Sequence, residues 1–181
     1  MDPGIGVLGS WLADFSALVL LFSGVVKATA VRQFQRQVRS MGVMNAALSD
    51  AFGALLPTVE VAVGLLIIAR VALVAALSGG LVLMAVFTGF VIWTLATGRR
   101  LSCFCFGEKA SKVTGLTLAR NLIFVAVFGL ALFWAAAAGS VVDRFDPARL
   151  WSIGYALSGV LVFLSVFQLA SLKSSYPQLL R

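Results

Sequence analysis

A chain of 181 residues that is 61% hydrophobic and only 12% charged lacks the composition of a water-soluble domain, where roughly 45–50% and about 25% are usual. A globule of this length has too little interior to hide so much apolar surface. The composition therefore points to a lipid bilayer as the solvent and argues against a soluble enzyme, a disordered chain or a disulfide-rich secreted domain. The formal net charge of +7 comes from cations placed between apolar runs rather than in one patch, which favours membrane topology and headgroup contacts over nucleic-acid binding.

The first apolar run, about Ile5 to Val26, carries one acid, Asp14. It reads as a transmembrane helix and not as a cleavable signal, because Met1–Ser10 holds no Lys or Arg and the run outlasts a signal core. Thr29–Asp50 is polar and basic. Within 31–41, Val31, Phe34, Val38 and Met41 share one helical face, with Arg32, Arg36 and Arg39 nearly opposite. This spacing predicts a short amphipathic helix on the membrane surface, the alternative being a basic loop. Ala51–Thr97 contains only two charges, Glu60 and Arg70. A span takes about 20 residues, so two helices are expected, at 52–69 and 71–97. Arg70, costly at a bilayer centre, marks the turn between them. Ser78-Gly79-Gly80 is an alternative turn or a small-residue packing seam.

The loop Gly98–Thr114 reads GRRLSCFCFGEKASKVT and holds the chain's two cysteines, Cys103 and Cys105. A fourth helix is expected at 115–138, a polar turn at Gly139–Arg149, and a fifth helix at 150–172, with Trp151 and Tyr155 suited to an interfacial belt. The fold class is all-α: a single polytopic membrane domain over 1–181, about five transmembrane helices with a short interfacial helix after the first. Five spans place the first loop, the cysteine loop and the tail on one face. That face takes Lys27, Arg32, Arg36, Arg39, Arg99, Arg100, Lys109, Lys112, Arg120, Lys173 and Arg181, leaving Arg70, Arg144 and Arg149 for the other. By the positive-inside rule the cysteine face is cytoplasmic.

Cys103-Phe104-Cys105 is the only obvious reactive pair. Two loop thiols can cycle between dithiol and disulfide or exchange with a partner through a mixed disulfide. Arg99, Arg100, Lys109 and Lys112 favour the thiolate. Phe104 and Phe106 are suited to press the loop into the interface. Two other readings stay open: the cysteines as small buried packing residues, or two thiolates holding Cu(I) with Met41 or Met44. Histidine is absent, and no zinc site, phosphate loop or catalytic triad can be assembled.

Ionisable residues within spans are costly and mark candidate sites. Lys27 ends the first helix. Glu60 lies about seven residues into the second, a depth of ~10 Å, and Arg120 about five residues into the fourth. All three belong to the half of the bilayer beneath the cysteine loop. A Lys27–Glu60 or Glu60–Arg120 pair would relieve the burial of Glu60, either as a structural tie or as part of a pocket that stabilises a thiolate, relays a proton or receives a quinone headgroup. Pro57, one turn before Glu60, can bend its helix. Phe87 and Phe90 fit lipid-facing or packing roles equally well.

Four ordered features resemble the MauE branch of the DoxX-like membrane proteins, named for methylamine utilisation. FSGVVKATAVRQF gives Gly24, Lys27 and Phe34; LPTVEVAVGLLI gives Pro57, Glu60 and Gly64; TGRRLSCFCFG gives Cys103, Cys105, Phe106 and Gly107; LARNLIF gives Arg120 and Asn121. They cover about Gly24–Phe124, and Phe104 is bulkier than the small residue the pattern places between the cysteines. The resemblance implies a bundle similar to the four-helix core of vitamin K epoxide reductase-type oxidoreductases, in the plasma or inner membrane. It also implies thiol–disulfide traffic with thioredoxin-like partners in maturing exported proteins, on the extracytoplasmic side. The functional expectation is a redox membrane protein working through Cys103 and Cys105, with Lys27, Glu60, Arg120 and Asn121 as the supporting pocket and a quinone as a candidate cofactor. The alternatives are a non-enzymatic membrane scaffold or subunit, or a small-molecule or metal transporter.

Overall fold

In lipid a spanning backbone must satisfy its own N–H and C=O groups, so long apolar runs become helices. The computed structural model describes residues 3–40, 42, 45–98, 114–137, 153–160 and 162. The helices are α1 (Pro3–Thr29), α2 (Val31–Ser40), α3 (Ala46–Ile68), α4 (Leu73–Ala96) and α5 (Gly115–Ala137), and residues 153–160 are also helical. Four segments are long and apolar enough to cross a membrane: Leu8–Thr29, Ala46–Ile68, Leu73–Ala96 and Gly115–Ala137. Their outward faces carry Leu55, Val82, Val86 and Phe133, each more than half exposed. Such a surface suits hydrocarbon and not water.

The spans alternate in direction around α1. Gly9 near the start of α1 lies against Trp134 near the end of α5, Gly64 of α3 against Ala17 and Leu21, and Gly80 of α4 against Leu20 and Phe128. α1 thus supplies much of the core: Leu12, Ala13, Phe15, Ala17, Val19 and Leu20 are all buried. Small residues let the backbones approach. A Cβ at Gly24 would stand 2.9 Å from the Pro57 carbonyl oxygen, and one at Gly64 would stand 3.1 Å from that of Ala17.

Several boundaries differ from the sequence expectation, each for a local reason. α3 begins at Ala46 and not at 52, because the Asn45 side chain accepts the Leu48 N–H at 2.8 Å and caps the helix. Glu60 consequently stands past the middle of α3 rather than near its start. The turn does fall at Arg70, within residues 69–72. Arg70 (φ 55°) and Ala72 (φ 45°) are left-handed there, at a cost of roughly 1–2 kcal/mol each. The Arg70 side chain folds back into the bundle instead of remaining at the interface. Ser78-Gly79-Gly80 is helical, so it is not a turn, and of its two glycines only Gly80 lies in a packing seam. At the far end of α4, Gly98 (φ 63°) supplies the left-handed residue that ends the helix.

α2 is a helix as the amphipathic spacing predicts, but its apolar face meets protein and not the membrane surface. Phe34 and Val38 are buried with Leu56 of α3 and pack against Leu83 and Phe87 of α4. Gln35 lies over Gly53, where a Cβ would stand 2.8 Å from its Cγ, and donates to the Asp50 carbonyl oxygen at 3.1 Å. Of the expected fifth helix at 150–172, residues 153–160 and 162 are described. Ala156 and Val160 join the core with α1, and Tyr155 is exposed. The remainder of that segment, Met41, Met44 and all of 99–113 lie outside the described residues.

Gly80 and its neighbour Gly79 make a controlled comparison. A Cβ at Gly80 would sit 2.5 Å from the fully buried Phe128 ring, whereas one at Gly79 meets nothing within 4 Å. Gly80→Ala should destabilise the protein by about 1–3 kcal/mol through overpacking, while Gly79→Ala should be neutral or slightly stabilising. Thermal unfolding of the full chain in detergent checks this pair.

Candidate functional site

Ser23 and Lys27 stand one helical turn apart on α1, facing Glu60 of α3. Lys27 Nζ donates to Glu60 Oε1 and, at 2.9 Å, to Ser23 Oγ. Lys27 is 1% exposed and Glu60 0%. Phe87 of α4 places its ring centroid 4.0 Å from the ammonium, and Phe34 of α2 places its own at 5.7 Å, both within cation–π range. The ammonium is therefore held by a carboxylate, a hydroxyl and two aromatic rings, contributed by α1, α2, α3 and α4. Among the described residues Glu60 Oε2 accepts no hydrogen bond.

Of the two pairings the sequence allows, the structure makes Lys27–Glu60. Arg120 and Asn121 are buried near the start of α5. Because α5 runs antiparallel to α1, they belong to the same end of the bundle as Lys27. Thr88 and Thr94 of α4 are buried there too, each hydroxyl donating to a carbonyl of its own helix, Met84 at 2.7 Å and Phe90 at 2.9 Å. The segment with Cys103, Phe104, Cys105, Phe106 and Gly107 lies outside the described residues. Its attachment points do not: Gly98 after α4 and Thr114 before α5 both belong to the Lys27 end.

α2 closes that end. Besides Phe34 and Val38, its hold on α3 includes a bidentate ion pair in which Arg39 Nη2 and Nε meet the two Asp50 carboxylate oxygens, the latter at 2.6 Å. The bond to Asp50 raises the Arg39 guanidinium above its ordinary pKa. Arg32 and Arg36 are exposed on the outer face.

A second buried ion pair stands at the opposite end. Arg70 Nη2 donates to Asp14 Oδ1 at 2.9 Å and to the Ser10 carbonyl oxygen at 3.2 Å, with both side chains almost fully buried. Sequence reasoning noted Asp14 and Arg70 separately. The available signal was charge opposition at matching depth: one acid near the start of the first span and one cation at the far end of the second. Ser23 is not singled out by the sequence reading, although its place four residues before Lys27 puts it on the same helical face. Phe34 and Phe87 were not legible as ammonium contacts, since nothing local separates them from packing residues. Among the described residues no three His, Cys, Asp or Glu are grouped to hold a metal.

Comparison with known proteins identifies a family. The family model described as "Methylamine utilisation protein MauE" matches residues 5–136, which contain α1–α5 save the ends of α1 and α5. No curated protein and no solved structure matches the chain.

Removing one member of a buried ion pair leaves the other charge uncompensated, at a cost of about 3–5 kcal/mol, whereas an apolar replacement of both can be nearly neutral. Lys27→Met and Glu60→Met should each destabilise by about that much, and the double variant by clearly less than the sum. Thermal unfolding of the four proteins completes the cycle. Additive losses would mean that the two side chains do not act as a pair.

Proposed function

The chain belongs to the MauE family of methylamine utilisation proteins, and on that premise we propose that it is a membrane thiol–disulfide redox protein working through Cys103 and Cys105. The observation that carries the reading is positional. The cysteine segment is tethered at Gly98 and Thr114, at the end of the bundle where Lys27, Glu60, Arg120 and Asn121 are buried. The proposal includes a DoxX-like bundle with a core like that of vitamin K epoxide reductase, a fifth span at 150–172, and residence in the plasma or inner membrane.

In the chemical step a thiolate of a reduced thioredoxin-like partner or exported protein attacks the Cys103–Cys105 disulfide. One chain sulfur leaves as thiolate and a mixed disulfide forms. The partner's second thiolate then attacks its own sulfur in the mixed disulfide, which frees the other chain cysteine. The partner ends as a disulfide and the chain as a dithiol. A membrane quinone held at the pocket of Lys27, Glu60, Arg120 and Asn121 would supply the oxidant for the return, taking the two electrons and two protons that the dithiol loses as the disulfide re-forms. The residues of the buried cluster serve this cycle electrostatically. Lys27 and Arg120 favour the thiolate, and Glu60 Oε2, without a hydrogen bond among the described residues, is the atom suited to receive a proton. Phe104, Phe106 and Gly107 set the loop at the interface.

A second reading, a non-enzymatic scaffold, draws on one observation: Lys27 and Glu60 are already paired and tie α1 to α3. Acid quenching and alkylation of intact membranes, followed by mass spectrometry, separates the two. The redox reading expects Cys103 and Cys105 joined to each other under oxidising conditions. It also expects a mixed disulfide to accumulate when either cysteine is changed to serine. Absence of any disulfide under all conditions, with full function retained by Cys103→Ser/Cys105→Ser, would establish the scaffold instead.

A further inference from the structure

α2 carries three arginines and no acid over Val31–Ser40. Its apolar side chains Phe34 and Val38 are buried against α3 and α4, so lipid does not have to cover them. Arg39 is paired with Asp50. Arg32 and Arg36 remain exposed, one turn apart, and among the described residues neither has an ion pair. Arg36 Nε donates to the Arg32 carbonyl oxygen at 3.3 Å, which keeps the two guanidinium groups on one face.

The position of this face is equally specific. α2 starts at Val31, immediately past the apolar segment that ends at Thr29 and beside the first turns of the next one. It rests on α3 at Asp50, Gly53 and Leu56. Interleaved with those residues, α3 exposes Leu48, Phe52 and Leu55, at 54%, 40% and 63%. The contacts of Gln35 with Gly53 and of Arg39 with Asp50 thus set the two cations at the level of this exposed apolar face of α3. A phosphate with acyl chains matches both parts, whereas a free anion matches only the first. Guanidinium groups bind phosphate oxygens through two parallel donors.

We propose that the outer face of α2, through Arg32 and Arg36, is a binding site for the headgroup of an anionic phospholipid whose chains lie along Leu48, Phe52 and Leu55. The bound lipid holds α2 down over the Lys27–Glu60 pair. This site does not depend on the redox reading, and its test uses no redox measurement.

The full chain, purified in neutral detergent, is titrated with palmitoyl-oleoyl phosphatidylglycerol, with the matching phosphatidylcholine, and with glycerol phosphate as the headgroup alone, while the unfolding temperature is followed. Phosphatidylglycerol should raise the unfolding temperature in a saturable way, and the other two should not. Arg32→Gln/Arg36→Gln should need on the order of 30-fold more phosphatidylglycerol, as expected for two arginines at a charged surface. Arg32→Lys/Arg36→Lys, which keeps both charges and loses the paired donors, should recover only part of the response. Both variants alter exposed side chains and should match the parent without lipid. Equal effects of the two lipids, an equal effect of glycerol phosphate, or an unchanged response in the glutamine variant would each overturn the proposal.

Discussion

The ion pair between Lys27 and Glu60 is the constraint on which this bundle depends. A lysine and a glutamate removed from water lose several kcal/mol of hydration each, and their attraction offsets that loss only with good geometry and further hydrogen bonds. The surroundings of Lys27 meet the condition: Ser23 accepts a second hydrogen bond, and Phe87 and Phe34 turn ring faces toward the ammonium. Four helices must be in register for this to happen. The pair therefore acts as a registry device: a bundle with α3 displaced by one turn would strand both charges in hydrocarbon.

The same logic operates at the other end of the α1–α3 seam. Asp14 and Arg70 repeat the arrangement with roles exchanged, the acid on α1 and the cation just past α3. Between the two pairs, Gly24 and Gly64 bring the backbones together. Two polar ties flank a close-packed seam, so sliding or rotation of α3 against α1 breaks at least one of them. The left-handed residues at Arg70 and Ala72 fit this account. The turn takes up strain, and the Arg70 guanidinium gains Asp14 and the Ser10 carbonyl in return. In lipid, where burial of apolar surface does little to join helices, such close packing and polar contacts carry much of the specificity.

The sequence made the helical class, the four described spans and the turn at Arg70 legible, because apolar run length and the position of a charge are one-dimensional signals. It also offered Lys27–Glu60 as one of two pairings for Glu60, and the fold decides between them. What it obscured was any feature decided by which face meets which neighbour. The apolar side of α2 was readable as a stripe, but lipid and protein attract such a stripe alike, and only the tertiary fold turns Phe34 toward Lys27. The start of α3 depended on one capping side chain, Asn45, within a segment whose charges suggested a loop. The residues of the first two motifs behind the family resemblance share a physical reason. Gly24, Pro57 and Gly64 line the α1–α3 seam, and Lys27, Glu60 and Phe34 meet at its end.

α2 joins this internal architecture to the bilayer surface. A ten-residue helix with three like charges is marginal by itself, so its structure depends on Phe34 and Val38 packing, on the close approach at Gly53 and on Asp50. Those contacts also place Phe34 near the Lys27 ammonium. Formation of α2 and dehydration of the Lys27–Glu60 pair are consequently one cooperative event. Displacing α2 would remove a ring from the ammonium and open the pair to headgroup water, where its charges are screened and its hold on the seam weakens. The cysteine segment is tethered to the same end of the bundle. How far water reaches the buried charges at that end thus depends on whether a short basic helix stays seated.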